Sequence, residues 1–256
     1  MRGVLQGVVL AAVLAAPGAQ AAEILKAPTT AHVKVQDWEG FYVGGQFGYG
    51  WSSVDYMFPA NTYYNLVADI GKPFSVSPDG VLGGFHVGYN WQYGNWVFGI
   101  EGSYDFSNIK NRRVGVFAIF PEDVYSTRLK SVYSVTGRVG WAVNQWLFYG
   151  KGGWAGSEFD LYIVSGNPGP GVVVDLNGNL QGWTAGAGIE YMIQPNIILG
   201  LEYDHFDFNG KTLTGFESPP QTGGTTIHAD TTVDAVFLRA SYLFGHFGAG
   251  SAMRGQ

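Results

Sequence analysis

Eight stretches of the chain, at about 40–51, 79–91, 95–107, 128–142, 145–157, 180–194, 196–208 and 232–244, alternate large apolar residues with small or polar ones. Successive side chains of a β-strand point to opposite faces, so this period predicts strands with one apolar and one polar face. In the third stretch Trp96, Phe98, Ile100, Tyr104 and Phe106 take one parity, and Gly99, Glu101, Ser103 and Asp105 take the other. The connections alternate too. Short ones pass through Tyr93-Gly94, Asn144 and Pro195, whereas long ones cover 52–78, 108–127, 158–179 and 209–231. The pattern predicts an all-β protein: an eight-stranded antiparallel up-and-down transmembrane β-barrel, with short turns in the periplasm and long loops outside. A strand of about eleven residues rises about 36 Å, and a tilt of roughly 40° reduces its span to about 28 Å, which matches a hydrocarbon core.

A soluble barrel and a membrane barrel share this alternation with opposite faces inward, and charge decides between them. Parity places Gln46, His86, Glu101, Arg138, Lys151, Glu190, Glu202 and Arg239 together on the polar face. A lipid-facing Arg or Lys near the midplane costs roughly 2–4 kcal/mol, so the polar face points inward. An eight-stranded barrel is just wide enough for side chains to fill it. Glu101, Arg138, Lys151, Glu190, Glu202 and Arg239 are therefore expected to form a neutralising ion-pair network that plugs the lumen; the alternative is a narrow ion path lined by the same residues. Trp91 to Trp96 and Trp141 to Trp146 bracket two short turns with the same spacing and outward parity. With Phe41 and Tyr191 they predict a periplasmic aromatic girdle, and Trp51, Tyr104 and Trp154 an outer one, because indole and phenol rings favour the boundary between hydrocarbon and head groups.

Composition narrows the class further. Hydrophobic residues make up 46% of the chain, yet no apolar run of eighteen or more follows the N-terminus, so transmembrane helices are excluded. The net charge of −6 argues against nucleic acid as a partner. With no cysteine, disulfides and thiolate metal sites are excluded. Met1-Arg2, an apolar stretch from Val4 to Ala16 and Ala19-Gln20-Ala21 read as a secretory signal peptide over 1–21, implying export. Residues 22–37, with Pro28, Thr29 and Thr30, read as a periplasmic lead-in, 38–244 as the barrel, and 245–256 as a flexible tail.

Candidates for catalysis are Asp204-His205 and His228 with Asp230, weighed because some small outer-membrane barrels modify lipids. Adjacent strand residues face opposite sides and form no catalytic hydrogen bond by default, so no catalytic residue is assigned. His86 is read as a lumen hydrogen-bonder. No His-x-x-x-His pair is present and no metal site is expected; the glycine clusters lack the following helix and lysine of a phosphate loop, and no cofactor is implied. In the long connections Tyr56, Phe58, Tyr63 and Tyr64, and Lys110, Arg112 and Arg113, are candidates for a surface ligand or lipopolysaccharide phosphate, set against the plainer reading of solvated loops.

Several segments in order resemble the small eight-stranded porin-like outer-membrane immunogenic proteins of alphaproteobacteria. The opening strand carries Trp38-Glu39-Gly40-Phe41-Tyr42-Val43-Gly44-Gly45. Gly88-Tyr89-Asn90, Gly99-Ile100-Glu101-Gly102, Gly137-Arg138-Val139-Gly140, Tyr149-Gly150-Lys151-Gly152-Gly153 and Gly182-Trp183-Thr184-Ala185-Gly186 follow. The chain departs from the family in continuing past Phe244, where family members end on the aromatic signal read by the outer-membrane insertion machinery. The resemblance implies the outer membrane of a Gram-negative bacterium, contact with lipid and lipopolysaccharide, and exposure to surface ligands or host factors. The expected role is envelope integrity and surface interaction with at most small-solute conduction; a true diffusion pore and a lipid A-modifying enzyme are the alternatives.

Overall fold

The structure is a computed structural model that describes residues 36–57, 73–114, 124–164, 173–217 and 224–244. The leader expected over 1–21, the lead-in to residue 35, the tail 245–256 and the candidate residues Phe58, Tyr63 and Tyr64 lie outside the described residues. The strands are β1 Gly40–Met57, β2 Pro73–Val76, β3 Asp79–Tyr93, β4 Trp96–Val114, β5 Val124–Val143, β6 Trp146–Val164, β7 Val173–Gln194, β8 Ile197–Glu217 and β9 Gly224–Leu243. All neighbours are antiparallel, and β1 pairs with β9 from Tyr42↔Leu243 to Met57↔His228, which closes an eight-membered ring. The short β2 keeps the register of β3 against β1, with Val54↔Val76 continuing Trp51↔Asp79. Ser77 and Pro78 separate them because proline has no N–H for the ladder; the Ser52 N–H instead donates to the Pro78 carbonyl at 2.8 Å.

Tight turns join the strands at one end through Gly94-Asn95, Asn144-Gln145 and Pro195-Asn196. Gly94 (φ 61°) and Asn144 (φ 55°) occupy the left-handed region, which glycine enters freely and asparagine tolerates better than most residues. These are the connections expected to be short.

The other end differs from expectation. Much of what reads as long outer loops is strand: β1 continues to Met57, β4 to Val114, β6 to Val164 and β8 to Glu217. Tyr56, Lys110, Arg112 and Arg113 therefore stand on strands. The 20 residues of β5 rise roughly 66 Å, or about 50 Å once tilted, about twice the height of a barrel's apolar band.

The inward face corrects the sequence reading as well. Among the described residues, its buried charges are confined to mid-height. Toward the long-loop end, Val54, Tyr56, Leu82, Ile109, Leu129, Phe159, Leu161, Phe206, Phe208, Ile227, Val233 and Phe237 pack into one buried cluster inside the ring. Most outward residues at that level are polar, Met57, Val114 and Tyr162 excepted. On β9, Val236, Leu238 and Tyr242 are exposed apolar residues, whereas His228, Asp230, Thr232 and Asp234 face out farther along. The alternation persists through both halves, but its phase inverts between them. Toward the tight-turn end a smaller cluster of Trp38, Tyr42, Val97, Ala142, Leu147, Tyr149, Met192, Ile198 and Leu243 fills the mouth.

Candidate functional site

The polar layer lies between these two apolar clusters. Glu101 on β4, Arg138 on β5, Lys151 on β6, Glu190 on β7, Glu202 on β8 and Arg239 on β9 all point inward, each at most 8% exposed. Arg239 bridges two acids: Nη2 donates to Glu101 Oε2 at 2.5 Å, and Nη1 donates to Glu202. Lys151 Nζ donates to Glu202 Oε1 at 2.8 Å and lies 3.7 Å from Glu101 Oε1. The Arg138 guanidinium grips Glu190 with two bonds, at 3.0 and 3.3 Å, while its Nε donates to Asn90 Oδ1 at 3.0 Å. Ion pairs are strongest in this planar two-bond form.

Tyrosines complete the layer. The Tyr42 hydroxyl donates to Glu101 Oε2 at 2.8 Å, and the Tyr149 hydroxyl donates to Glu202 Oε2 at 2.5 Å. Their rings also flank Arg138, whose guanidinium carbon lies 4.8 Å and 4.9 Å from the two centroids, within cation–π range. Glycine makes room for both rings. Tyr42 pairs with Gly88 and Tyr149 with Gly188; a Cβ on Gly188 would stand 2.4 Å from the Tyr149 hydroxyl. Gly188→Val is therefore expected to push Tyr149 off Glu202 and lower stability by about 1–3 kcal/mol in urea unfolding, as overpacking does.

The expected ion-pair network left out two acids of this layer. Asp204 on β8 is buried and lies 2.9 Å from Lys151, and Asp105 on β4 accepts twice from the Gln46 amide nitrogen, at 2.9 and 2.8 Å. Five inward carboxyl groups thus face three inward cations among the described residues. Both acids share the parity of Glu101 and Glu202, and that signal identifies them. His86 is a hydrogen-bonder: its Nδ1 lies 3.0 Å from Gln46 Oε1 and its Nε2 2.7 Å from Ser241 Oγ.

The two His/Asp candidates behave differently, as strand geometry requires. Asp204 points inward, while His205 points outward and meets Asp234 on β9 at 2.8 Å rather than its neighbour. His228 and Asp230 share the outward face at 3.8 Å. Among the described residues no group of three or more His, Asp or Glu side chains is disposed to hold a metal ion. On the outer extension, burial holds the Tyr56 hydroxyl well above its ordinary pKa, although Thr127 bonds it at 2.8 Å.

Of the expected girdle residues, Trp91, Trp96, Trp141 and Trp146 are exposed on the outer wall beside the tight turns. The rings of Trp96 and Trp141 meet at 4.8 Å, those of Trp146 and Tyr191 at 4.6 Å, and those of Phe41 and Phe244 at 5.7 Å. Higher on the wall, Trp51 and Trp154 are exposed, and Tyr104 stacks on Tyr133 at 6.1 Å. Trp183, not anticipated, is exposed at the same level and pairs with Trp154. Trp38 is fully buried in the mouth of the barrel.

Residues 8–244 match the family described as outer membrane protein beta-barrel domain. The 31 kDa outer-membrane immunogenic protein of Brucella melitensis is 28% identical over 222 residues, covering 84% of this chain and 92% of its own length. The 22 kDa outer membrane protein of Rhizobium leguminosarum bv. viciae is 30% identical over 178 residues, or 68% and 66% of the two chains. Among solved structures, the attachment invasion locus protein of Yersinia pestis in complex with the heparin analogue sucrose octasulfate aligns with a TM-score of 0.40 and 16% identity, over 80% of this chain and 99% of that one.

Proposed function

The chain belongs to the outer membrane protein β-barrel family and resides in the outer membrane of a Gram-negative bacterium; from that premise we propose that it is a closed barrel serving envelope integrity and surface contact, not a diffusion pore. The observation carrying this reading is the layered lumen. An ion entering from outside meets the cluster around Leu129, Phe159, Phe206 and Phe208 before any charge, and then an ion-paired layer whose acids are each held by Arg, Lys or amide donors. Apolar constrictions stop ions by dewetting. A charged layer alone could pass ions by exchanging partners, but an apolar layer in series with it could not.

The outward residues of the extended strands are then the surface offered to the exterior, and the lumen serves to hold them rigid. The test is single-channel current across a planar bilayer containing the refolded mature protein. No discrete steps are expected under conditions in which a known porin conducts, for wild type or for Lys151→Ala. Steps in the wild type that change with Lys151→Ala would overturn the closed-barrel reading in favour of a charged path.

A further inference from the structure

Outward-facing charge on the extended strands is unevenly distributed. Lys110 and Arg112 on β4 and Arg128 and Lys130 on β5 are exposed. On the outer extensions of β8, β9 and β1 the outward charges include Asp207, Asp230, Asp234 and Asp55. In the ring order, β8–β9 lie four strands around from β4–β5, diametrically across the barrel.

Within the basic sector, Lys110 and Arg128 are direct cross-strand partners. Like charges placed opposite each other destabilise a sheet unless an anion lies between them. Among the described residues no nearby acid forms an ion pair with Lys110 or Arg128. Asp160, which pairs with Arg128 in register, is bound by Lys130 Nζ at 2.6 Å. Asp79, across from Lys110, accepts from the Tyr49 hydroxyl, and Glu158 faces out lower on β6. Among the described residues Lys110, Arg112 and Arg128 have no ion-pair partner.

Height specifies the ligand. Phe106 is 64% exposed and packs on Tyr104 at 5.2 Å, at the upper limit of the apolar wall. Arg128 lies three steps along β5 beyond Ser131, the partner of Phe106. At about 2.5 Å of height per step this is roughly 8 Å above the ring, in the head-group zone.

We propose that Lys110 and Arg128, with Arg112 above them, seat a phosphate group of the anionic glycolipid that forms the outer leaflet. Arginine offers a phosphate a two-bond fork and lysine a point charge. The bound anion screens the Lys110–Arg128 repulsion, and the acyl chains of the same lipid lie along Phe106, Tyr104 and Tyr133 below.

The test titrates the detergent-refolded mature protein with purified deep-rough lipopolysaccharide, and with the same material after chemical removal of its phosphates. Wild type is expected to favour the phosphorylated form about tenfold, in line with one charge-assisted contact. Lys110→Gln/Arg128→Gln is expected to abolish that preference, while Asp55→Asn/Asp230→Asn keeps it. Heat-modifiable electrophoretic mobility checks that each variant is folded, and Arg128→Lys, which keeps the charge, is expected to retain part of the preference. Equal affinity for the two glycolipids, or an undiminished preference in the folded double glutamine variant, would overturn the proposal. So would complete displacement of the glycolipid by millimolar inorganic phosphate, which marks a free-anion site. Loss of self-association as the sole effect of the variant would also overturn it, assigning the sector to a second copy.

Discussion

Replacing Glu101 with alanine is expected to lower the free energy of unfolding by about 3–5 kcal/mol, because it strands buried cations. Glu101 sits within 4 Å of all three inward bases: 2.5 Å from Arg239, 3.7 Å from Lys151 and 3.8 Å from Arg138. Its removal leaves Arg239 only Glu202, which Lys151 and Tyr149 already share. Glu158→Ala, on the exposed face of β6, is the control and should change stability by no more than about 0.5 kcal/mol. Urea unfolding of both variants in lipid vesicles measures the difference. Equal midpoints would show that water or ions reach the charged layer and compensate the loss, which contradicts the dry, closed lumen.

Leu238→Arg should destabilise the membrane-inserted barrel by about 2–4 kcal/mol, whereas Thr232→Arg, six residues earlier on the same face of the same strand, should cost no more than about 1 kcal/mol. Leu238 is 67% exposed and flanked in register by Phe47 and Leu201, both exposed apolar residues. Thr232 lies beyond Asp234, opposite Ser53 and Asp207. The pair of variants locates the phase inversion as a boundary between lipid and water. Equal costs in a vesicle unfolding assay would mean that the apolar outer wall reaches past Asp234, and that the polar outward residues above it are embedded too.

The strand cores, their order and the tight turns were legible because period-two alternation and turn residues such as Gly94 and Asn144 act locally. Inward parity identified six of the eight charged residues of the middle layer by the same rule. The outer halves of the strands were misread for a physical reason. Across Ala235 and Val236 on β9 the apolar residues exchange faces, so a reading that keeps one face apolar sees the pattern end and a loop begin. Asp204 was hidden similarly: beside His205 it read as a candidate for catalysis, while its parity with Glu202 directed it inward to Lys151.

The sequence by itself determined that this chain forms an antiparallel barrel of eight strands with greasy and polar faces, because alternation along a strand is a one-dimensional property. Only the tertiary structure decided which charges meet. Glu101 on β4 and Arg239 on β9 are 138 residues apart and come together across the lumen, as closure of the ring and the stagger of its strands dictate. The same closure determined that aromatic residues of the outer halves stack inside as a plug, and that Lys110 faces Arg128 across two strands. Such pairings depend on register and curvature, which no local pattern encodes.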